Sequence, residues 1–330
     1  MTLALLFLVA IVLILVGSEL FTNAVEWFGY RLGLGHGATG SVLAAIGTAL
    51  PETFVPIVAL IAAAPSAESV AMGAVLGAPL LLITLGMAVT GVAVIFRRGE
   101  RVLSIEPRQA RLDLGVFLGA FAVDVCATAL PFRVRLLLGV ALLAAYGGYV
   151  SLTVRGGAPA EELPEPLHVL RPFSGRNPGF GLVGLQLLIA IACLVSGSQF
   201  FVHALDEMAR ALNANPLVIA LIVVPVATEL PETMNSVLWV RSRDDGLAFG
   251  NVAGSATFQA CVLGFVGVTF TSWRPGRGGL MSTVATLLTG VMLLLVLRDG
   301  RCRGRWLLLA AVPWLAYVVV ALSTGAAAPG

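Results

Sequence analysis

Apolar runs, each close to the length of a membrane-crossing helix, alternate along this chain with short clusters of Arg, Pro and Gly. A hydrocarbon core of about 30 Å takes about 20 helical residues to cross. Ten runs qualify, at about residues 2–27, 37–63, 69–95, 112–130, 133–154, 180–205, 216–240, 246–272, 279–297 and 304–322. A tight turn at Pro131, with Arg133 and Arg135 beside it, joins the fourth and fifth. The longest connection, 155–179, carries Glu161, Glu162 and Glu165 among several prolines and reads as a linker. The pattern predicts an all-α integral membrane protein of ten transmembrane helices. Residues 1–154 form a first group of five, 155–179 a cytoplasmic linker, and 180–330 a second group of five.

Composition agrees. Hydrophobic residues make up 58% of the chain and charged residues 12%, against about 25% charged in a soluble domain. Such a chain cannot cover its surface with polar groups and stay dissolved. The basic residues are all Arg, scattered through loops, so the net charge of +2 implies no nucleic-acid partner. Under the ten-span reading, fifteen of the 20 arginines fall on one face. The positive-inside rule makes that face cytoplasmic and places both termini outside. The first run has neither a basic start nor a small-residue cleavage site, so it is not read as a removable signal. Cys126, Cys193, Cys261 and Cys302 lack metal-type spacing, and three lie in apolar runs. They are expected as buried, reduced thiols.

Sliding the chain by 180 residues lays GSELFTNAVEWF, from Gly17, on GSQFFVHALDEM, from Gly197. The same shift lays AIGTALPETFVP, from Ala45, on PVATELPETMNS, from Pro225. A fainter match at 177 pairs GAVLGA from Gly73 with GNVAGS from Gly250. Each copy opens a five-span half. Five is odd, so the second half enters the membrane from the opposite side. Inverted repeats with a site at their interface are the architecture of secondary transporters.

The chemistry lies where the repeats agree best. Glu52 and Glu232 each sit near the middle of an apolar span, where a carboxylate costs at least about 2.5–3.5 kcal/mol. Pro51 and Pro231 precede them and have no N–H for the carbonyls of Gly47 and Ala227, four residues back. Thr48 and Thr228 lie one helical turn before the glutamates, on roughly the same face. The two halves together offer carboxylates, hydroxyls and loosened carbonyls, a set of oxygens that suits a hard cation. Ca2+ takes six to eight oxygens at about 2.3–2.6 Å. No His or Cys joins the set, which argues against zinc or copper. Glu229 precedes Glu232 by three residues and adds a third acid, unless it is a cavity-mouth group without a transport role. Three carboxylates around one dry site cannot all ionise cheaply, so a proton could take the place of a second cation.

These segments resemble the α-repeats of the calcium/cation antiporter superfamily, and the sodium/calcium exchanger membrane region most closely. The resemblance rests on the paired T-x-LPE segments, each followed by a G-x-V-x-G-x span. It implies that Glu52 and Glu232 bind both Ca2+ and Na+, and it carries Thr48 and Thr228 along as ligands. Family members usually have Ser after that Thr, where this chain has Ala49 and Glu229. In the third span of the first half, Ala74, Ala78 and Leu82 supply no polar group where the family has one. The second copy keeps Asn251 and Ser255 and has Gln259 where an acid or Asn is expected.

The leading functional reading is a cation antiporter exchanging Ca2+ against Na+ by alternating access at this central site. Ca2+/H+ or Na+/H+ exchange is the alternative. A cation channel would use a ring of carboxylates across subunits, whereas the symmetry here is internal. An intramembrane enzyme would need a nucleophile–base pair or an HExxH-type motif, and the sequence has neither. The implied partners are inorganic cations and the lipid bilayer, with no cofactor, and the chain is expected to act as a monomer. Among the remaining polar residues, Asp124 is read as a peripheral hydrogen-bonding group. Glu19 and Glu26 are read as mouth groups, and His36, His168 and His203 as single, solvated or structural side chains. Asn235, Thr53 and Thr233 are candidates for lining the cavity.

Overall fold

With no water inside a bilayer to satisfy backbone groups, apolar runs of this length fold as helices. The computed structural model describes residues 3–31, 49–62, 66–155, 165–168, 178–213 and 215–323. Helix α1 spans Leu3–Arg31, α2 Leu50–Ile61 and α3 Ala67–Leu81. A π-turn at Leu82–Gly86 joins α3 to α4, Met87–Phe96. After strand β1, Val102–Ser104, come α5, Pro107–Ala127, and α6, Phe132–Arg155. The second half of the chain supplies α7, Phe180–Ala211, α8, Pro216–Thr228, and α9, Leu230–Ser242. Helix α10, Asp245–Phe258, runs through a second π-turn, Gln259–Leu263, into α11, Gly264–Phe270. Then follow α12, Gly276–Val296, strand β2, Arg301–Arg303, and α13, Gly304–Leu307. A 3-10 turn at Leu308–Ala310 leads to α14, Ala311–Ser323.

Seven helical segments among the described residues are long and apolar enough to cross a membrane, where the sequence predicts ten. The three discrepancies have separate causes. The expected run 216–240 is two helices, α8 and α9, parted at Glu229. Of the expected run 37–63, the part before residue 49 lies outside the described residues, and the rest is the short helix α2. The fourth run begins earlier than expected, at Pro107. It takes in Arg108, Arg111 and the buried acids Asp113 and Asp124, which make α5 too polar to qualify.

Small residues set two close helix crossings. Helices α1 and α7 pack through Gly17 and Gly197, the paired glycines of the repeat. A Cβ on Gly17 would lie 2.9 Å from Leu194 Cγ, and one on Gly197 2.9 Å from Ile14 Cγ1. Helix α3 meets α8 through Gly77, whose added Cβ would fall 2.7 Å from the Leu221 carbonyl oxygen. Such backbone approach is how helices associate where lipid gives no hydrophobic drive. It seats the end of α8, and hence Glu229, against α3.

One end of the bundle is tied by a buried ion pair. Arg97, which caps α4, reaches Asp245 in the first turn of α10 through both terminal nitrogens, with each side chain only 8% exposed. The same guanidinium donates to the Val102 carbonyl, and Asp245 accepts the Ser104 N–H at 2.7 Å. The pair thereby holds β1, which lies antiparallel to β2. Glu68 occupies the matching place in the first turn of α3 and, among the described residues, accepts from the exposed Ser272 hydroxyl at 2.5 Å. Arg97→Ala would leave Asp245 buried without its counter-charge, a loss of about 3–5 kcal/mol. Thermal unfolding in detergent is expected to drop accordingly, and Asp245→Asn added to Arg97→Ala should recover part of the loss. An unchanged unfolding temperature would show that the pair contributes nothing.

Two expectations need correction here. His168 is not single, because its Nε2 lies 3.1 Å from a Glu19 oxygen, and His203 Nε2 lies 3.3 Å from Glu207. Around His168 the linker docks on α1, where Asn23 Nδ2 and Trp27 Nε1 donate to the Glu165 carbonyl. The cysteines are all free thiols, but only Cys261 and Cys302 are buried. Cys126 is exposed and Cys193 half-buried.

Candidate cation site

The LPE motif starts a helix in each half. A proline fits the first turn of a helix, where its missing N–H is not needed, so α2 begins at Leu50-Pro51 and α9 at Leu230-Pro231. Each glutamate thus falls in the first turn of a new helix, among free backbone N–H groups at the positive end of the helix dipole. The sequence placed these acids within a span. The structure places them at a break in it, the discontinuous form that transport sites take.

Glu52, Glu229 and Glu232 are all buried, and one oxygen from each lies within 4.8 Å of the other two. Two oxygens each about 2.4 Å from one Ca2+ are at most about 4.8 Å apart, so the three acids can share a single ion. Neither Glu52 oxygen has a hydrogen-bond partner among the described residues, and the same is true of Glu229 Oε2. The other Glu229 oxygen accepts from Gln259 Nε2 at 2.8 Å. Three buried acids this close can all be ionised only if a cation joins them, and without one protons must neutralise the group.

The two π-turns frame the site at matching places in the halves, since Leu82–Gly86 and Gln259–Leu263 are 177 residues apart. Each inserts one extra residue into a helix, a device frequent at functional sites. They do not offer the same chemistry. The second opens with Gln259, bound to Glu229, and the first opens with the apolar Leu82, fully buried. Thr233 on α9 faces Gly86 of the first π-turn, its hydroxyl 3.6 Å from where a Cβ would be.

The other expected ligands are distributed around this trio. Gly47 and Thr48 lie outside the described residues. Thr228 is buried next to Glu229 and donates its hydroxyl proton to the Val224 carbonyl at 3.1 Å, leaving its oxygen lone pairs to accept or coordinate. Ala227 sits at the end of α8, just before the break. Ser255 is buried on α10, one turn before Gln259. Thr53 is half-buried and donates to the Ala49 carbonyl, and Asn235 is half-buried.

Sequence reasoning missed Ser236, which is fully buried and bridges α9 to α10 through the carbonyls of Glu232 and Ala248. Asn251 Nδ2 donates to the same Glu232 carbonyl at 2.8 Å and to Ser236 at 3.2 Å. These two side chains fix the backbone that carries Glu232. Neighbouring Asn235 gave the only hint in the sequence.

A sequence profile described as Sodium/calcium exchanger protein matches residues 2–155 and 182–323. CaxA of Alkalimonas amylolytica is 30% identical over 122 residues, which cover 36% of this chain and 37% of CaxA. The chain thus matches little more than a third of that relative. The solved H+/Ca2+ exchanger CAX has a similar fold, with a TM-score of 0.71 at 18% identity, covering 100% of this chain and 83% of that one. The sodium-calcium exchanger NCX_Mj aligns with a TM-score of 0.61 at 21% identity, covering 97% and 98% of the two chains.

Proposed function

The chain belongs to the sodium/calcium exchanger protein family, and from that premise we propose a secondary-active antiporter that binds Ca2+ at Glu52, Glu229 and Glu232 and exchanges it for protons. The observation that carries the reading is the trio itself, three buried carboxylates with one oxygen of each within 4.8 Å of the others. Ca2+ offsets two of the trio's three charges in one state, and protons take its place in the other. Because the site cannot hold both loads together, the two fluxes are coupled. Thr48, Thr228, Ser255 and the carbonyls of Gly47 and Ala227 are the further oxygens proposed for the ion, with Gln259 positioning Glu229.

Na+ as counter-ion is the second reading, favoured by the family's name and by the likeness to NCX_Mj. Against it stands Leu82, which gives the first π-turn no oxygen where the second has Gln259. The architecture proposed is ten spans in two inverted halves, 1–154 and 180–330. Its support is the paired LPE breaks, the two π-turns 177 residues apart and the two stretches that the family profile matches.

Purified protein in liposomes, given a pH gradient or a Na+ gradient separately, tests the function. Ca2+ uptake is expected with the pH gradient alone. Uptake driven by a Ca2+ gradient alone would instead mean a channel, and no uptake under either ion gradient would overturn the exchange reading. Orientation is tested apart from transport. The arginine distribution places both termini outside, so a reporter fused after Gly330 should be active only outside the cytoplasm. Cytoplasmic activity would overturn the orientation.

A further inference from the structure

A second buried acid, away from the trio, also lacks a partner. Asp124 lies in the last turns of α5, fully buried, and neither of its oxygens has a hydrogen-bond partner among the described residues. This corrects the expectation of a peripheral hydrogen bond. Asp113, about three turns earlier on the same face of α5, shows how this bundle satisfies an acid that it merely buries. Its Oδ1 accepts from Gln109 Nε2 at 2.6 Å and from the Tyr149 hydroxyl at 3.0 Å. Asp124 has no such help.

The surroundings make room for the carboxyl and cover it. Gly264, the first residue of α11, lies directly beneath it. A Cβ there would fall 2.5 Å from Oδ1 and 2.7 Å from Oδ2. Trp273 closes the space from the end of the bundle opposite the Arg97–Asp245 pair. Its Nε1 donates to the Asp124 carbonyl at 2.7 Å, its ring lies against Gly267, and it is 1% exposed. Its φ of 51° is in the left-handed region, where a bulky residue stays only when its surroundings hold it. The cover is therefore a locally strained residue on a short connection between α11 and α12.

Among the described residues no ion pair balances Asp124. Cys261, on the second π-turn, is the titratable side chain beside it, with Tyr146 of α6 beyond. Arg135 of α6 turns its Nη1 to the Thr271 carbonyl, 3.1 Å away. Arg133 of α6, Arg274 in the connection and Arg277 at the start of α12 are exposed, and Asp245 of α10 is held by Arg97 at the opposite end. An ionised carboxylate with neither counter-ion nor donor is far costlier in a dry bundle than the neutral acid.

We infer that Asp124 is a second proton-binding site, separate from the Glu52–Glu229–Glu232 site and reached from the face that Trp273 covers. The inference rests on the proton-coupled reading given above. The step is a simple transfer. The Asp124 carboxyl gives its proton to a water admitted past Trp273, becomes carboxylate, and regains a proton by the reverse path. The position beside the π-turn that carries Gln259 lets its charge state influence the central site through the backbone of Gln259–Leu263.

Infrared spectroscopy of the full chain in liposomes reads the site without any need for transport. At neutral pH, Asp124→Asn is expected to remove one protonated-carboxyl band, while Ca2+ still stabilises the protein against heat through the central site. Loss of a carboxylate band instead, or no change, would overturn the assignment. In transport, Asp124→Asn should lower the number of protons moved per Ca2+, and an unchanged number would show that the proton is static. Trp273→Phe keeps the acid and removes the Nε1 donor, so the band should shift faster in heavy water. An unchanged exchange rate would reject the access route. If no gradient drives Ca2+ in wild type, the exchange reading fails while the infrared result still stands or falls on its own.

Discussion

Glu52→Gln and Glu232→Gln are each expected to abolish Ca2+ transport in a protein that still folds and inserts. Gln keeps the shape of the side chain and one carbonyl oxygen, but removes one of the three charges that the site offers a divalent ion. Removing one partner of a buried charged contact costs about 2–5 kcal/mol, and 1.4 kcal/mol is tenfold. Ca2+ affinity should therefore fall by roughly 30-fold at the least and by more than about 1,000-fold at the upper end. The effect on stability has the opposite sign. The cation-free trio holds three acids against one another, so Gln at either position should leave the ion-free protein as stable as wild type or more so. Wild type should gain about 2.7 kcal/mol when Ca2+ is present at 100 times its dissociation constant, and the variants should gain about 0.9 kcal/mol or less at the same concentration. Near wild-type flux in either variant would show that the cation binds elsewhere.

Raising the pH from 6 to 9 is expected to strengthen Ca2+ binding by wild type, because protons and Ca2+ compete for the same three oxygens. The sign follows from the site. A cation-free trio must keep protons, Ca2+ must displace them, and displacement becomes easier as the solution holds fewer. Each proton displaced contributes about tenfold per pH unit to the apparent affinity. Glu229→Ser takes away one of the three acids and leaves Glu52 and Glu232. It should flatten the pH dependence by up to one proton, so that affinity changes by up to about tenfold less per pH unit, with weaker but measurable Ca2+ binding. Uptake measured across this range, with and without a Na+ gradient, decides the counter-ion. Flux that requires Na+ and ignores pH in both proteins would return the chain to sodium/calcium exchange.

Much of this site could be read from the sequence, for reasons specific to each residue. Glu52 and Glu232 stand out because a carboxylate in an apolar run has no inexpensive explanation, and the 180-residue repeat puts them at equal depth. Glu229 follows from its spacing to Glu232. Gln259 came only through the family likeness, since a lone Gln in a helix carries no signal of its own. Ser236 was passed over for Asn235 because adjacent helical residues differ by about 100° in direction, and only the packing of α10 on α9 selects between them. The π-turns were invisible for a related reason. One extra residue barely disturbs an apolar pattern in a helix that is buried all round. For Asp124, the sequence gives its helix but not whether the facing helix brings a donor, and here it brings the bare backbone of Gly264.

Two halves that were perfect mirror copies would give an exchanger with no resting preference, since its two access states would be the same structure seen from opposite sides. This chain breaks that equality at its ends. The acid at the start of α10 is locked to Arg97 in a buried bidentate pair, and its counterpart at the start of α3, Glu68, accepts from an exposed hydroxyl. A difference of 1.4 kcal/mol between the two faces already sets a tenfold imbalance between states. On the proposed two-half architecture the exchanger would wait mostly in one access state. The bias lies in how an arginine is used: Arg97 is locked to Asp245, whereas Arg274, 177 residues further on, is exposed.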